Sequence, residues 1–186
     1  VSSPNPHAID ADTLSGMKPL RKVVFSLGSN LGDRLANLQG GVDAIKDTPD
    51  VIVVDISSVY ETAPVGMPDD TPAFLNIVIV TESTLEPRTL LERAQAIEDA
   101  FGRDRTEPHG SRTLDVDLVM VGNAETNQDD LTLPHPRAHE RGFVLVPWAE
   151  IDPAAELPGH GPIAPLLDHV GSDGVARRDD LAIEGD

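Results

Sequence analysis

A chain of 186 residues, 39% of them hydrophobic, is long enough for one domain with a real core. Its 32 acidic and 14 basic residues give a net charge of −18, which argues against a nucleic-acid binder, since that function needs a basic footprint. Cysteine is absent, which excludes disulfides and thiolate metal sites. The longest apolar runs, such as Phe74 to Val80, are too short to span a bilayer. The start of the chain carries neither a basic stretch nor an apolar one, so a cytoplasmic location is expected, with no membrane partner.

Residues 1–18 mix Pro, Asn, Ser, Asp and Gly without periodicity and read as a flexible leader. Lys22 to Leu27 predicts a buried strand, and the following Gly28-Ser-Asn-Leu-Gly32 a turn, with Asn30 or Asp33 as cap. The spacing of Leu35, Leu38, Val42 and Ile45 predicts an amphipathic helix over 33–47. Val51 to Tyr60 is rich in β-branched residues and predicts a second strand. The prolines of 61–73 predict a loop, and Phe74 to Glu82 a third strand. Pro87 suits a helix first turn; Leu90, Ala94, Ile97 and Phe101 supply that helix's apolar face, and Gly102 ends it. A polar, arginine-bearing loop over 103–113 leads into a fourth strand at 114–121. The order strand, helix, strand, strand, helix, strand is the split-βαβ, ferredoxin-like pattern of an α+β sandwich. Short helical pieces are expected near 140–151 and 163–170 in a C-terminal extension. One domain should therefore cover 19–170, with 171–186 frayed.

Within the fourth strand stands Arg112-Thr-Leu-Asp115-Val-Asp117. Strand residues i and i+2 face the same way, so Asp115 and Asp117 should aim their oxygens at one point. Paired carboxylates suit Mg²⁺, a hard ion that commonly takes one or two carboxylates plus substrate phosphates. The competing reading is an ordinary solvated strand face. In so acidic a chain a polyphosphate must meet local positive charge, so the arginines at 103, 105, 112, 137 and 141 are informative. Guanidinium forks match phosphate oxygens; surface charge balance is the plainer role, and the one expected of Arg137. Gly28 and Gly32 lack the Lys-Ser/Thr ending of a phosphate-binding loop, and their turn should serve packing. His135 and His139 are four apart, but Phe143 stands where a zinc motif beginning at His139 would need histidine.

Five blocks, taken in order, carry a family resemblance. They are Ser26-Leu-Gly-Ser-Asn-Leu-Gly-Asp33, Tyr60-Glu-Thr-Ala-Pro-Val-Gly66, Phe74-Leu-Asn76, Arg112-Thr-Leu-Asp-Val-Asp117 and Leu133-Pro-His-Pro-Arg-Ala-His-Glu-Arg-Gly-Phe143. With them the chain, over about residues 22–155, resembles the 6-hydroxymethyl-7,8-dihydropterin pyrophosphokinases of folate biosynthesis. The resemblance implies transfer of a pyrophosphoryl group from ATP, the co-substrate, to the pterin hydroxymethyl group, with release of AMP and use of two Mg²⁺ ions.

It also implies roles. Asp115 and Asp117 would hold the metal ions. Arg112 and Arg141 would contact ATP, while Arg103 and Arg105 sit on or beside a closing loop. Gln95, Glu98, Leu118 (through its backbone), Thr132 and His135 would border the nucleotide. Phe74 and Phe143 would stack the pterin, Asn76 would read its edge, and Thr62, Ala63 and Val65 would border it. Tyr60 and Trp148 are left to the core, and His139 to a structural role. The expected partners are these two small molecules, and the chain is expected to act as a monomer. The alternative is a catalytically silent nucleotide- or Mg²⁺-binding module on the same frame. Two departures stand out: His109 occupies a position where relatives carry Trp, and Ala63 replaces a proline common in that loop.

Overall fold

The computed structural model describes residues 18–64, 70–102 and 113–185. An antiparallel sheet organises them. Its strands are β1 (Arg21–Ser29), β2 (Val51–Ile56), β3 (Tyr60–Thr62), β4 (Phe74–Ser83), β5 (Asp115–Val121) and β10 (Val175–Arg177). β1 lies between β4 and β5; the far side of β4 pairs with β2 along one stretch and β3 along another, and β10 lies outside β3. Two small hairpins complete the strands, β6 (Thr126–Gln128) with β7 (Leu131–Leu133) and β8 (Glu156–Leu157) with β9 (Gly161–Pro162).

Alternation along the central strands creates two different faces. Val23, Phe25 and Leu27 of β1 and Leu75, Ile77 and Ile79 of β4 point one way, onto α1 (Arg34–Lys46) and α2 (Pro87–Ala100). Leu38, Val42 and Ile45 of α1 and Leu90 and Ala94 of α2 close over them. Val24, Val78 and Val80 point the other way, onto α3 (Gly142–Ile151) and α4 (Ile163–Val170), where Val144, Leu145, Trp148 and Ile163 are buried. Leu27 is fully buried. Truncating such a leucine to alanine typically costs about 2–5 kcal/mol, because the cavity adds to the lost transfer energy.

The helix ends follow their local chemistry. Asp33, rather than Asn30, caps α1, its carboxylate accepting from the Ala36 N–H at 3.1 Å. Pro87 opens α2, and Gly102 follows the end of that helix with φ of 78°. Three expectations need correction. The span 51–60 is not one strand: the Ser57 hydroxyl accepts from the Val78 N–H at 2.9 Å, and the chain re-pairs with β4 only from Tyr60. The loop expected from residue 61 therefore begins later, after Thr62. The tail expected to be frayed instead carries β10 through residue 177, and Leu181 and Ile183 pack on the core. Of the leader, residues 1–17 lie outside the described residues, as do 65–69 and 103–112. No helix among the described residues is long and apolar enough to cross a membrane.

Candidate active site

The register of four strands, β3, β4, β1 and β5, assembles one polar patch on the α3 face. Gly28 stands between Asn76 on β4 and Asp115 on β5, and Ser26 pairs with Asp117. On the other flank Asn76 faces Tyr60 and Phe74 faces Thr62. Since side chains of the same parity share a face, Thr62, Phe74, Asn76, Asp115 and Asp117 all rise on one side of the sheet. The patch depends on Gly28 having no side chain: a Cβ there would lie 2.9 Å from Asn76 Oδ1 and 3.5 Å from a Phe74 ring carbon. Gly28, which lies within β1 rather than in the turn expected from it, thus serves packing beside the candidate site.

A β-bulge separates this patch from the apolar part of the same face. Phe25 pairs with Leu118 but Val24 pairs with Met120, so Val119 is extra. Before the bulge β5 presents Asp115 and Asp117 on the α3 face; at and after it, Val119 and Met120 both pack into the α3 core. The Val119 carbonyl accepts from the His135 N–H at 2.8 Å, which ties the segment after β7 to the edge of β5.

The two flanks of the patch differ. Asn76 and Thr62 are buried, at 4% and 8% exposure, and the Asn76 amide donates to the Thr62 hydroxyl at 2.7 Å. Asp115 and Asp117 are half-buried. Arg141 reaches Asp117 at 3.9 Å, and its guanidinium lies 5.3 Å from the centre of the Phe143 ring. Burial pulls Arg141 below its ordinary pKa, while Asp117, and more weakly Asp115, oppose that shift. Phe143, the second residue of α3, packs against its core on the same side of the sheet as Phe74. Ala63 is exposed at the end of β3. Val65, Arg103, Arg105 and Arg112, and with them His109, lie outside the described residues.

The nucleotide candidates are spread more widely. Thr132 and His135 line a groove of about 530 Å³ between the β6–β7 hairpin and residues Pro158 to His160. Neither aspartate lines that groove. Burial first, then Arg141 and Arg137, hold the His135 imidazole down at a pKa of about 4, so it is neutral at pH 7. Its Nδ1 accepts from the Arg137 N–H at 3.2 Å. Arg137 itself is exposed and pairs with Glu140 at 3.0 Å, in keeping with surface charge balance. Gln95 is exposed on α2. Glu98 is buried, and its carboxylate accepts from the Val116 N–H at 3.0 Å, which ties α2 to the strand between the two aspartates. The Leu118 side chain belongs to the α1–α2 core, on the face opposite Asp115 and Asp117, so only its backbone is left for a ligand.

Some supporting residues carry no signal in the sequence. Glu150 on α3 accepts from the Tyr60 hydroxyl at 2.8 Å and from the Ser58 N–H and hydroxyl. Burial, then the Glu150 bond, push Tyr60 up to about 12. His139 stacks on His160, with ring centres 4.1 Å apart. Contacts between residues so far apart in sequence leave no periodic trace.

An antiparallel sheet with helices on both faces, bearing a polar patch of two carboxylates, an arginine and an amide, defines an α+β protein with a candidate small-molecule site. Residues 24–153 match the family model for 7,8-dihydro-6-hydroxymethylpterin-pyrophosphokinase (HPPK), and the chain belongs to that family. It is similar to the 2-amino-4-hydroxy-6-hydroxymethyldihydropteridine pyrophosphokinase of Mycobacterium tuberculosis, strain H37Rv, with 41% identity over 80% of this chain and 83% of that one. The protein of that name from Mycobacterium leprae is 46% identical over 74% of this chain and 75% of its own length. The Bacillus subtilis one is 42% identical over 68% and 75%. Among solved structures, wild-type Plasmodium falciparum HPPK-DHPS with SDX-DHP superposes with a TM-score of 0.65 at 13% identity, over 88% of this chain and 49% of that one. The chain thus spans about half the length of that solved chain, and at such low identity the likeness shows the fold alone. The family and the named relatives make this chain a pyrophosphokinase of folate biosynthesis, and nothing supports the alternative of a catalytically silent module.

Proposed function

We propose that the polar patch is where this enzyme transfers the pyrophosphoryl group of ATP to the hydroxymethyl group of 6-hydroxymethyl-7,8-dihydropterin, giving the pterin diphosphate and AMP. The observation that carries the reading is the shared face of Asp115 and Asp117 beside Arg141, with Asn76 and Phe74 two strands away on the same face.

The donor set fits Mg²⁺. Two half-buried carboxylates of the same parity offer hard oxygen ligands and leave the other coordination positions to water and phosphate. Asp115 and Asp117 would hold two Mg²⁺ ions, whose charge would offset that of the triphosphate and polarise the β-phosphorus. The protein's own task is positioning. Asp115 and Asp117 hold the cationic end of the site, and Glu98 fixes the strand between them. Arg141 compensates triphosphate charge, joined by Arg112 and by Arg103 and Arg105 near the loop expected to close. Neutral His135, its Nδ1 already accepting from the Arg137 N–H, donates its Nε2–H to the phosphates without adding charge, with Thr132, Gln95, Glu98 and the Leu118 backbone bordering the nucleotide. Phe74 and Phe143 sandwich the flat pterin. Asn76, held by Thr62, reads its polar edge, and Ala63 and Val65 border it.

The frame is read as a ferredoxin-like split βαβ. The order β5, β1, β4, then β2 and β3, with α1 and α2 on one face, supports this. Residues 19–170, together with β10 and the segment through Ile183 that packs on the core, form the catalytic unit, which acts as a monomer in the cytoplasm. The test is AMP formation from ATP. Turnover requiring both pterin and Mg²⁺, and lost in Asp117→Ala with an unchanged melting temperature, supports the reading. A folded Asp117→Ala that keeps most of the activity at saturating Mg²⁺ overturns it.

A further inference from the structure

The C-terminal strap lies outside residues 24–153, the part matched by the family, yet it is built against both sides of the proposed pterin site. β10 pairs with β3 so that Val175 faces Thr62 and Arg177 faces Tyr60. The other side of the strap meets the start of α3. A Cβ placed on Gly142 would lie 3.1 Å from the Gly171 carbonyl oxygen and 3.4 Å from a Val175 methyl. Gly142 immediately precedes Phe143. One short strand therefore touches the strand carrying Thr62 and the residue next to an aromatic wall.

A charge cluster fastens this arrangement. Arg178 donates to Glu61 Oε2 at 2.8 Å, and Arg34 donates to that same oxygen at 3.1 Å. Arg34 also donates to the Ala73 carbonyl at 2.9 Å, immediately before Phe74. Asn30 holds the Pro72 carbonyl at 3.2 Å. Asp180 grips the other edge of the Arg178 guanidinium, at 2.7 and 2.8 Å. The Arg178 N–H donates to the Val59 carbonyl at 2.8 Å, next to β3. Glu61, Arg34 and Arg178 are each about one-third exposed, so water weakens the cluster without dissolving it. Glu61 points to the face opposite Thr62, which keeps the cluster off the ligand itself.

We infer that Arg34 and Arg178, gripping one oxygen of Glu61, form with β10 a positioning device that sets Thr62, Phe74 and Phe143 for a flat heterocycle and so tunes pterin affinity. The inference rests on the pterin-site reading above. Loss of the cluster relaxes the walls and leaves the aspartate flank on β5 untouched, so pterin and ATP should respond differently. Substrate binding then weakens with little change in the chemical step, a pattern kinetics can isolate.

The test uses the full chain and compares Arg178→Met, Arg178→Lys and Phe74→Ala by steady-state AMP formation and thermal melting. Arg178→Met should raise the pterin KM about tenfold, the scale of one lost charge-assisted contact, with kcat and the ATP KM nearly unchanged. Arg178→Lys keeps the charge and should recover part of that loss. If Phe74→Ala raises the pterin KM and Arg178→Met does not, the inference alone is overturned. If neither raises it, the pterin-site reading falls, and the inference with it. A fall of kcat and a rise of both KM values together with a lowered melting temperature in Arg178→Met means a merely structural role, and also overturns it. Should Arg178→Met not fold, the lysine variant decides: a selective rise in pterin KM supports the device, and wild-type kinetics refute it.

Discussion

The two flanks of the polar patch are built on opposite plans. On the β3–β4 flank, Asn76 and Thr62 are buried and already bonded at 2.7 Å. On the β5 flank, Asp115, Asp117 and Arg141 are partly exposed, and the Arg141–Asp117 approach is a loose 3.9 Å. A neutral heterocycle is best met by groups whose desolvation is complete before it arrives, since each buried polar atom needs its partner in the free protein too. Ions and phosphates are better met by groups that keep their water until the ligand replaces it. The difference teaches that one small sheet face can bury its polar groups on the flank proposed for the pterin and leave them partly exposed on the flank proposed for metal and phosphate.

The sharpest way to break this comparison is to remove the charged flank. Asp115→Ala or Asp117→Ala should lower kcat by about a thousandfold, the scale seen when a preorganised electrostatic group is lost. The pterin KM and the melting temperature should change little. A loss confined to the pterin KM would mean that the flanks have been assigned the wrong way round.

The opposite flank should answer in binding. Asn76→Ala removes the amide held by Thr62, and the pterin KM should rise about tenfold or more while Mg²⁺ dependence stays as in the wild type. An altered Mg²⁺ requirement in that variant would erase the distinction between the flanks. Arg141→Lys keeps the charge but loses the planar fork, and should raise the ATP KM about severalfold. Equal effects on ATP and pterin would place Arg141 between the two sites rather than on the nucleotide side.

The smallest expected effect is on stability. His135 titrates near 4 in the folded protein against an ordinary 6.5, so the unfolded chain takes up its proton first. Its contribution is full above pH 6.5, is lost as the pH falls from 6.5 to about 4, and stays constant below that. His135→Gln should therefore show a smaller drop in melting temperature between pH 7 and pH 5 than the wild type. Equal drops would show that the burial of this imidazole is not linked to folding.

What was legible in the sequence follows from locality. Leu35, Leu38, Val42 and Ile45 announce α1 by their spacing, and Pro87 marks the start of α2. Asp115 and Asp117 are placed on one face by strand parity alone. The break at Ser57 to Val59 was not legible, because it depends on the Ser57 hydroxyl reaching Val78 across the sheet. Nor was β10 legible: Val175 to Arg177 has no apolar alternation, and its order comes from pairing with β3 more than a hundred residues earlier. Glu98 is expected only beside the nucleotide, and its bond to the Val116 N–H is a tertiary contact that no helical periodicity encodes. The bulge at Val119 was equally silent, and without it the alternation that sets the aspartates on the polar patch would turn Met120 away from Val24.

The central claim is that Asp115 and Asp117 together hold divalent metal beneath the triphosphate. Its most direct test is anomalous diffraction from crystals grown with Mn²⁺ and a non-hydrolysable ATP analogue. The account predicts Mn²⁺ peaks in contact with both carboxylates and with phosphate oxygens. Ordered nucleotide with Mn²⁺ peaks elsewhere, and both aspartates turned from the phosphates, would contradict it.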